Sequence, residues 1–230
     1  RGSNMTGKAR RVVLFGNGQM ASFAHAVLTH DSPHEVVAFT VDDGHITDKT
    51  LLGLPVVPFE NLESSHPPDA FAMHISVSFR RVNRLRAEKY QAAKAKGYEL
   101  VSYVSSRAYT WPDLTIGDNC WILEHSVIHP FARIGNDVYM GSGVHIGHHT
   151  TVGDHSFLVG MIAVAGFAKI GSYCFVGIHS TVRDGLTIAD RTVIGAGSTV
   201  LRDTQEGGVY VAPPARMLPY PSEELPEDFR

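Results

Sequence analysis

From Ile116 to Val200 the chain repeats in sixes. Every sixth residue is aliphatic, from Ile116, Ile122, Ile128, Ile134, Met140 and Ile146 without a break to Val200. The fifth position of each block is small or apolar, as at Cys120, Ser126, Ala132 and Val138, and the second is often glycine, as at Gly117, Gly135, Gly141, Gly147 and Gly153. A fixed short period of this kind predicts a parallel β-helix. One side chain per block points into a narrow prism, and stacked coils bury one continuous core. The glycines are expected to supply turn dihedrals. A β-sandwich would instead alternate with period two between turns about 8–12 residues apart.

Ahead of the repeat the pattern changes. Residues 10–15 (RRVVLF) read as a buried strand, followed by Gly16-Asn17-Gly18-Gln19-Met20-Ala21 and a helix through Leu28. A second strand, 36–41, ends in Asp42-Asp43-Gly44. This is a strand, glycine loop, helix and strand in succession, with an acidic end on the second strand. A GxGxxA loop opening a helix can cradle phosphates, because backbone N–H groups approach the ligand and the helix start favours anions; a tight turn in an ordinary α/β unit remains the alternative. Only one such half fits before the repeat, which argues against a full dinucleotide fold. Residues 51–56 read as a connecting loop, 70–77 as a strand, 78–96 as a charged helix with a solvated face, and 98–104 as another strand. Arg80 and Arg81, at the expected helix start, are candidates for a phosphate contact. Residues 105–115, with Trp111-Pro112, bridge into the first coil. The organisation expected is an α/β domain over 5–104, a β-helix over 105–218 and an acidic, proline-rich tail over 219–230.

Composition narrows the function classes. With 230 residues, 43% of them hydrophobic, the chain can bury its own core, and a net charge of −3 makes no case for nucleic acid or an anionic membrane surface. No apolar run approaches the ~20 residues of a membrane span. Residues 1–4 read as an expression remnant ahead of Met5, with no signal peptide after it, which suggests a cytoplasmic protein. Cys120 and Cys174 share a block position three coils apart, roughly 14 Å at the spacing of strands, too far to bridge.

Histidines crowd the middle coils: His125, His129, His145, His148, His149, His155 and His179. One coil above His148 the repeat places Gly166. An imidazole under an open glycine N–H is a layout suited to acyl transfer, one group taking a proton and the other steadying an oxyanion. His145 closes its block, as a structural or substrate-facing residue. Asp154 and His155 are candidates for supporting or coenzyme contacts, and His125, His129 and His179 read as surface residues. A zinc site on such a prism would need a third histidine at matching height, and none is found, so no metal is expected.

The comb of blocks resembles the left-handed β-helix of the hexapeptide-repeat acyltransferases. The order of a small Rossmann-like domain, a short bridge and the β-helix resembles the nucleotide-amino-sugar acetyltransferases of the PglD and NeuD group. That resemblance implies an acetyl-CoA-dependent N-acetyltransferase of a nucleotide-linked amino sugar, working in surface glycan biosynthesis as a homotrimer. It implies His148 as general base, His149 where the group usually carries an acidic partner, and Gly166 as the oxyanion amide. Ile178 would supply a second amide to coenzyme A, with Arg202, Ala212 and Arg216 near its upper parts. Gly16, Gly18 and Gln19 would hold the diphosphate, and Asp42 and Asp43 the base or ribose, with His145 near the sugar. Sugar O-acetylation of the sialic-acid type is an alternative on the same fold, and a γ-carbonic-anhydrase-like zinc enzyme a more distant one.

Overall fold

The computed structural model describes residues 8–217, 219 and 221–224. The expected remnant 1–4 and most of the 219–230 tail lie outside the described residues.

The first domain is a six-stranded sheet of order β3-β4-β2-β1-β5-β6. Its elements are β1 (Arg11–Phe15), α1 (Gln19–Asp31), β2 (Glu35–Val41), β3 (Thr50–Leu51), β4 (Leu54–Pro58), β5 (Ala72–Ile75), α2 (Arg84–Ala95) and β6 (Glu99–Leu100). The central strands pair in parallel and are buried almost throughout, as expected of strands covered on both faces. Three expectations are corrected. The 51–56 loop is a hairpin of β3 and β4, turning on Leu52 (φ 49) and Gly53 (φ 80). The 78–96 helix begins only at Arg84, because Arg81, Val82 and Asn83 are all left-handed (φ 56, 50 and 64); Arg80 and Arg81 therefore sit in a turn, not at a helix start. The 98–104 strand is split. β6 closes the first sheet, whereas β7 (Tyr103–Val104) pairs with Trp121–Ile122 and is already part of the prism.

The prism has three parallel sheets built from two-residue strands. The first residue of each six-residue block points inward, and from Ile122 to Val200 all of these are buried, as are the fifth-position residues. We name the sheets by what they carry. The docking face runs through Trp121–Ile122, Tyr139–Met140, Phe157–Leu158 and Phe175–Val176; the histidine face through Val127–Ile128, His145–Ile146 and Ala163–Val164; the third face through Arg133–Ile134, Thr151–Val152 and Lys169–Ile170. Left-handed dihedrals fall at the fourth position of each block, at His125, Phe131, Asp137, His149, His155, Met161, Phe167 and Tyr173, not at the second-position glycines as expected. Those glycines serve close approach instead. A Cβ on Gly147 would lie 2.5 Å from the Gly166 nitrogen, and one on Gly177 2.5 Å from that of Ala196, so the next coil leaves no room for a side chain. Cys120 and Cys174 are free and buried.

The α/β domain packs on the docking face. Phe79 meets Phe157 and Phe175, with ring centroids 5.4 and 4.7 Å apart, and Phe23 meets Trp121 at 5.7 Å. α2 is not the solvated helix its charge run suggests. Arg86 is buried, donating from Nε to Asp137 Oδ2 (3.1 Å) and from Nη2 to the carbonyls of Asp137 (2.5 Å) and Ser156 (3.2 Å). His155 Nδ1 lies 2.7 Å from the same carboxylate, and Asn119 joins its other oxygen at 2.7 Å. His155 is thus a buried strut of the seam between the domains, not a coenzyme contact; Asp154 accepts from the Asn136 N–H at 2.7 Å along the same corner.

His74 sits in that seam, its Nδ1–H donating to the Val101 carbonyl at 2.8 Å and its Nε2 without a partner among the described residues. Burial pushes its pKa down from 6.5 to about 4. The folded chain keeps this ring neutral while the unfolded chain takes up its proton near 6.5. Stability is therefore lost as pH falls from about 6.5 towards about 4, by roughly 3 kcal/mol, and this contribution levels off below. Urea unfolding from pH 7 to pH 4 should trace this limb. His74→Asn, which keeps the donor to Val101, should flatten it; an unchanged slope would remove His74 as its source.

Candidate active site

His148 stands at the corner between the histidine face and the third face, where the backbone turns after the strand His145–Ile146. Its ring packs against Gly166 of the next coil. A Cβ at residue 166 would lie 2.8 Å from Cε1 and 2.9 Å from Nε2 of His148, so only glycine fits there without moving the ring. The neighbouring amides are used by the ladder, Ala165 N–H donating to Val182 O (3.0 Å) and Phe167 N–H to His148 O (2.9 Å). The Gly166 N–H has no acceptor among the described residues. At the corner beside the docked domain, equivalent amides are taken by side chains, Ser172 N–H by Asp190 at 2.8 Å for instance. The amide over His148 is left open.

His148 Nδ1 lies 3.2 Å from His149 Nδ1. Two imidazole nitrogens bond only if one carries the proton and the other a lone pair. With the proton on His148 Nδ1, its Nε2 presents a lone pair beside Gly166. His149 is held by stacking, between Phe131 (centroids 4.7 Å) and Phe167 (4.9 Å). It orients its neighbour by a hydrogen bond and brings no negative charge. On the histidine face, His145 Nε2 meets His129 Nε2 at 3.0 Å, so His129 is paired and is not an isolated surface residue. Burial, then His129, holds the His145 pKa below its ordinary value.

The remaining candidates divide into two places. Arg202 and Ala212 line a cavity of about 880 Å³ at the top of the prism, with Gly197 and Tyr210. Ile178 is exposed at the far edge of the histidine face, its N–H without an acceptor among the described residues, and Arg216 is exposed beyond that cavity. The structure does not bring Ile178 or Arg216 into contact with the cavity. Phe157 is buried between the domains, against Phe79.

A cavity of about 560 Å³ opens at the ends of β1 and β2. Gly16, Gly18, Gln19 and Asp42 line it, together with Arg80, His45, Ser76 and Lys89. α1 begins over it with no side-chain cap and no acidic residue in its first turn, and the N–H groups of Gly18, Gln19 and Met20 have no acceptor among the described residues. Such a helix start attracts an anion. Asp43 does not line the cavity, and its backbone N–H donates to the Glu60 carboxylate at 3.1 Å. His45 and Lys89 carry no motif. They enter because the loop after β2 and one turn of α2 converge on the glycine loop, which only the fold shows.

The docked domain covers the docking face, whereas His148 is at the opposite corner. Within one chain the glycine-loop cavity and His148 are separated by the breadth of the prism. Among the described residues no three metal-ligating side chains gather, and no helix is long and apolar enough to cross a membrane.

Residues 113–148 and 167–202 match the model of the bacterial transferase hexapeptide (six repeats). Solved structures share the fold over most of the chain. A variant of perosamine N-acetyltransferase from Caulobacter crescentus, in complex with CoA and GDP-perosamine, is 24% identical over 90% of this chain and 95% of its own, with a TM-score of 0.79. The acetyltransferase domain of PglB from Neisseria gonorrhoeae FA1090 is 21% identical over 91% of this chain and 100% of its own, with a TM-score of 0.76; the same domain in complex with acetyl coenzyme A gives 20% and 0.77. Residues 113–148 and 167–202 thus resemble the hexapeptide-repeat transferases, and the fold of the chain is that of these structures, an α/β domain followed by a left-handed β-helix.

Proposed function

We propose that the chain is an acetyl-CoA-dependent N-acetyltransferase acting on a nucleotide-linked amino sugar, with His148 as general base. The observation that carries this reading is the His148 ring packed on Gly166 beneath an open N–H. His148 Nε2 takes the proton of the sugar amine as its nitrogen attacks the thioester carbonyl. The oxyanion forms against the Gly166 N–H. Collapse breaks the C–S bond, and the departing thiolate receives the proton from the imidazolium. No Ser or Cys stands in this arrangement as a covalent acceptor. Arg202 and Ala212, lining one cavity, are assigned to the coenzyme, with Ile178 and Arg216 at its margins; Gly16, Gly18, Gln19 and Arg80 are assigned to the diphosphate. His145 and His129 are assigned to the sugar. The C. crescentus structure, which holds CoA and GDP-perosamine, supports this class of substrate.

The separation of the glycine-loop cavity from His148 favours a site shared between chains. We assign the nucleotide to one protomer and the base to its neighbour, in a homotrimer of prisms. Acetyl-CoA and nucleotide sugars place such an enzyme in the cytoplasm.

Thiol release from acetyl-CoA against UDP-, dTDP- and GDP-linked amino sugars, each paired with its hydroxyl analogue, tests the reading. Release with an amine and not its hydroxyl partner supports it. Release with the hydroxyl alone converts it to O-acetylation, and failure to bind coenzyme A overturns it.

A further inference from the structure

We propose that residues 79–83 form a two-state strap between the glycine-loop cavity and the prism, and that a phosphate-bearing ligand in the cavity holds the strap in its anchored state. The proposal rests on the nucleotide reading above and adds a conformational step to it.

The strap joins two walls of one cavity. Ser76, Val77 and Ser78 line the cavity before it, Leu85 and Lys89 of α2 line it afterwards, and Arg80 lines it from within the strap. Other strap residues reach the prism. Phe79 packs on Phe157 and Phe175. Asn83 is fully buried, its Nδ2 donating to the Cys174 carbonyl at 2.9 Å. These two anchors are separate from the contacts of Arg86 with Asp137. One short segment thus touches both the ligand cavity and the docking face.

Its backbone takes the costly hand. Arg81, Val82 and Asn83 are left-handed in succession, a conformation in which Cβ crowds the following carbonyl oxygen. Asn tolerates it, but a β-branched residue such as Val82 is an outlier there. Val82 is 39% exposed, so the packing of its own side chain does not impose the hand. The turn is thinly bonded, Asn83 N–H donating to Phe79 O at 3.2 Å and Arg84 N–H to Arg81 O at 3.3 Å. Asn83 Oδ1 is buried without a partner among the described residues. The residue types favour the opposite hand. Residues 79–83 contain no Gly or Pro, Ser78 is a good N-cap, and the pattern reads as helix from 78 onward. In the second state these residues add a right-handed turn to α2. Reversing the hand takes Arg80 from the cavity and Phe79 and Asn83 from the prism together. A ligand shifts such an equilibrium only by its different affinity for the two states, and Arg80 supplies that difference.

Val82 and Asn83 do not line the cavity, so substitutions there reach the nucleotide only through the strap. Calorimetry of the full chain with UDP and with GDP is the test. Val82→Gly removes the cost of the left-handed hand and disfavours the helix, so affinity should rise, by up to roughly tenfold. Asn83→Ala should lower it. In an Arg80→Gln background, Val82→Gly should bring no gain. An affinity unchanged or lowered in Val82→Gly, even where its stability to urea rises, means the turn has a single state and overturns the proposal. So does a gain that persists without Arg80. Failure of the unaltered chain to bind either nucleotide, with coenzyme A still bound, overturns the nucleotide reading beneath it.

Discussion

Turnover by the His148→Ala variant should fall by roughly 10²–10⁴, the range for losing a positioned general base, while coenzyme A binds as before. The ring is exposed at a corner and carries none of the prism's core, so the fold should survive its removal. Two further variants separate chemistry from packing. Gly166→Ala keeps the N–H but places a methyl 2.8 Å from His148 Cε1, so the ring must shift; a displacement on that scale costs about a hundredfold in rate. His149→Phe keeps the stack between Phe131 and Phe167 and removes the Nδ1 partner; its effect should be smaller and should change the pH profile of kcat. If sites are shared between chains, His148→Ala mixed with a variant disabled in the glycine loop should recover activity that neither has alone. Near-normal turnover in His148→Ala would remove the residue from the mechanism, whatever the assembly state.

Much of this arrangement was legible in the residues. The period of six places Gly166 over His148, because the repeat has no register break and a coil is a fixed number of residues. The same arithmetic misread the glycines. Period alone tells which positions are crowded, but not whether backbone dihedrals or the adjacent coil do the crowding, and here it is the adjacent coil. The α/β domain was legible as strands and a loop but not as a docked body. Charge along α2 suggested a wet face, yet Arg86 is buried while Arg81 on the preceding turn pairs with Glu88 in solvent. Nothing local distinguishes them. What buries Arg86 is Asp137, fifty-one residues away, and only the packing of one domain on the other brings them together. The separation of the glycine-loop cavity from His148 was hidden for the same reason, since it depends on which face of the prism the domain covers.

That buried pair carries the largest stability effect expected of any single change. Asp137→Ala should destabilise the chain by about 3–5 kcal/mol, the range for removing one partner of a buried ion pair. The carboxylate bonds Arg86, His155 and Asn119, and Asn119 in turn accepts the Ile75 N–H from the end of β5 at 2.7 Å. Removing Asp137 leaves a buried guanidinium with carbonyls only, and loosens both the corner of the prism and the sheet docked on it. Arg86→Met should cost less, because His155 and Asn119 still bond the carboxylate and a thioether chain fills the same path beside Phe157. The double change Arg86→Met with Asp137→Leu should recover part of the loss, since an apolar pair of similar volume escapes the desolvation that the ions suffer. Urea unfolding of the three variants checks the order, and an Asp137→Ala cost below about 1 kcal/mol would mean water reaches the seam. Function should follow the seam as well as stability. With the docked domain free to shift, UDP or GDP affinity should hold while kcat with the sugar substrate drops, because the cavity is intact but, on the proposal of a site shared between chains, no longer held at a fixed distance from a neighbouring protomer's His148.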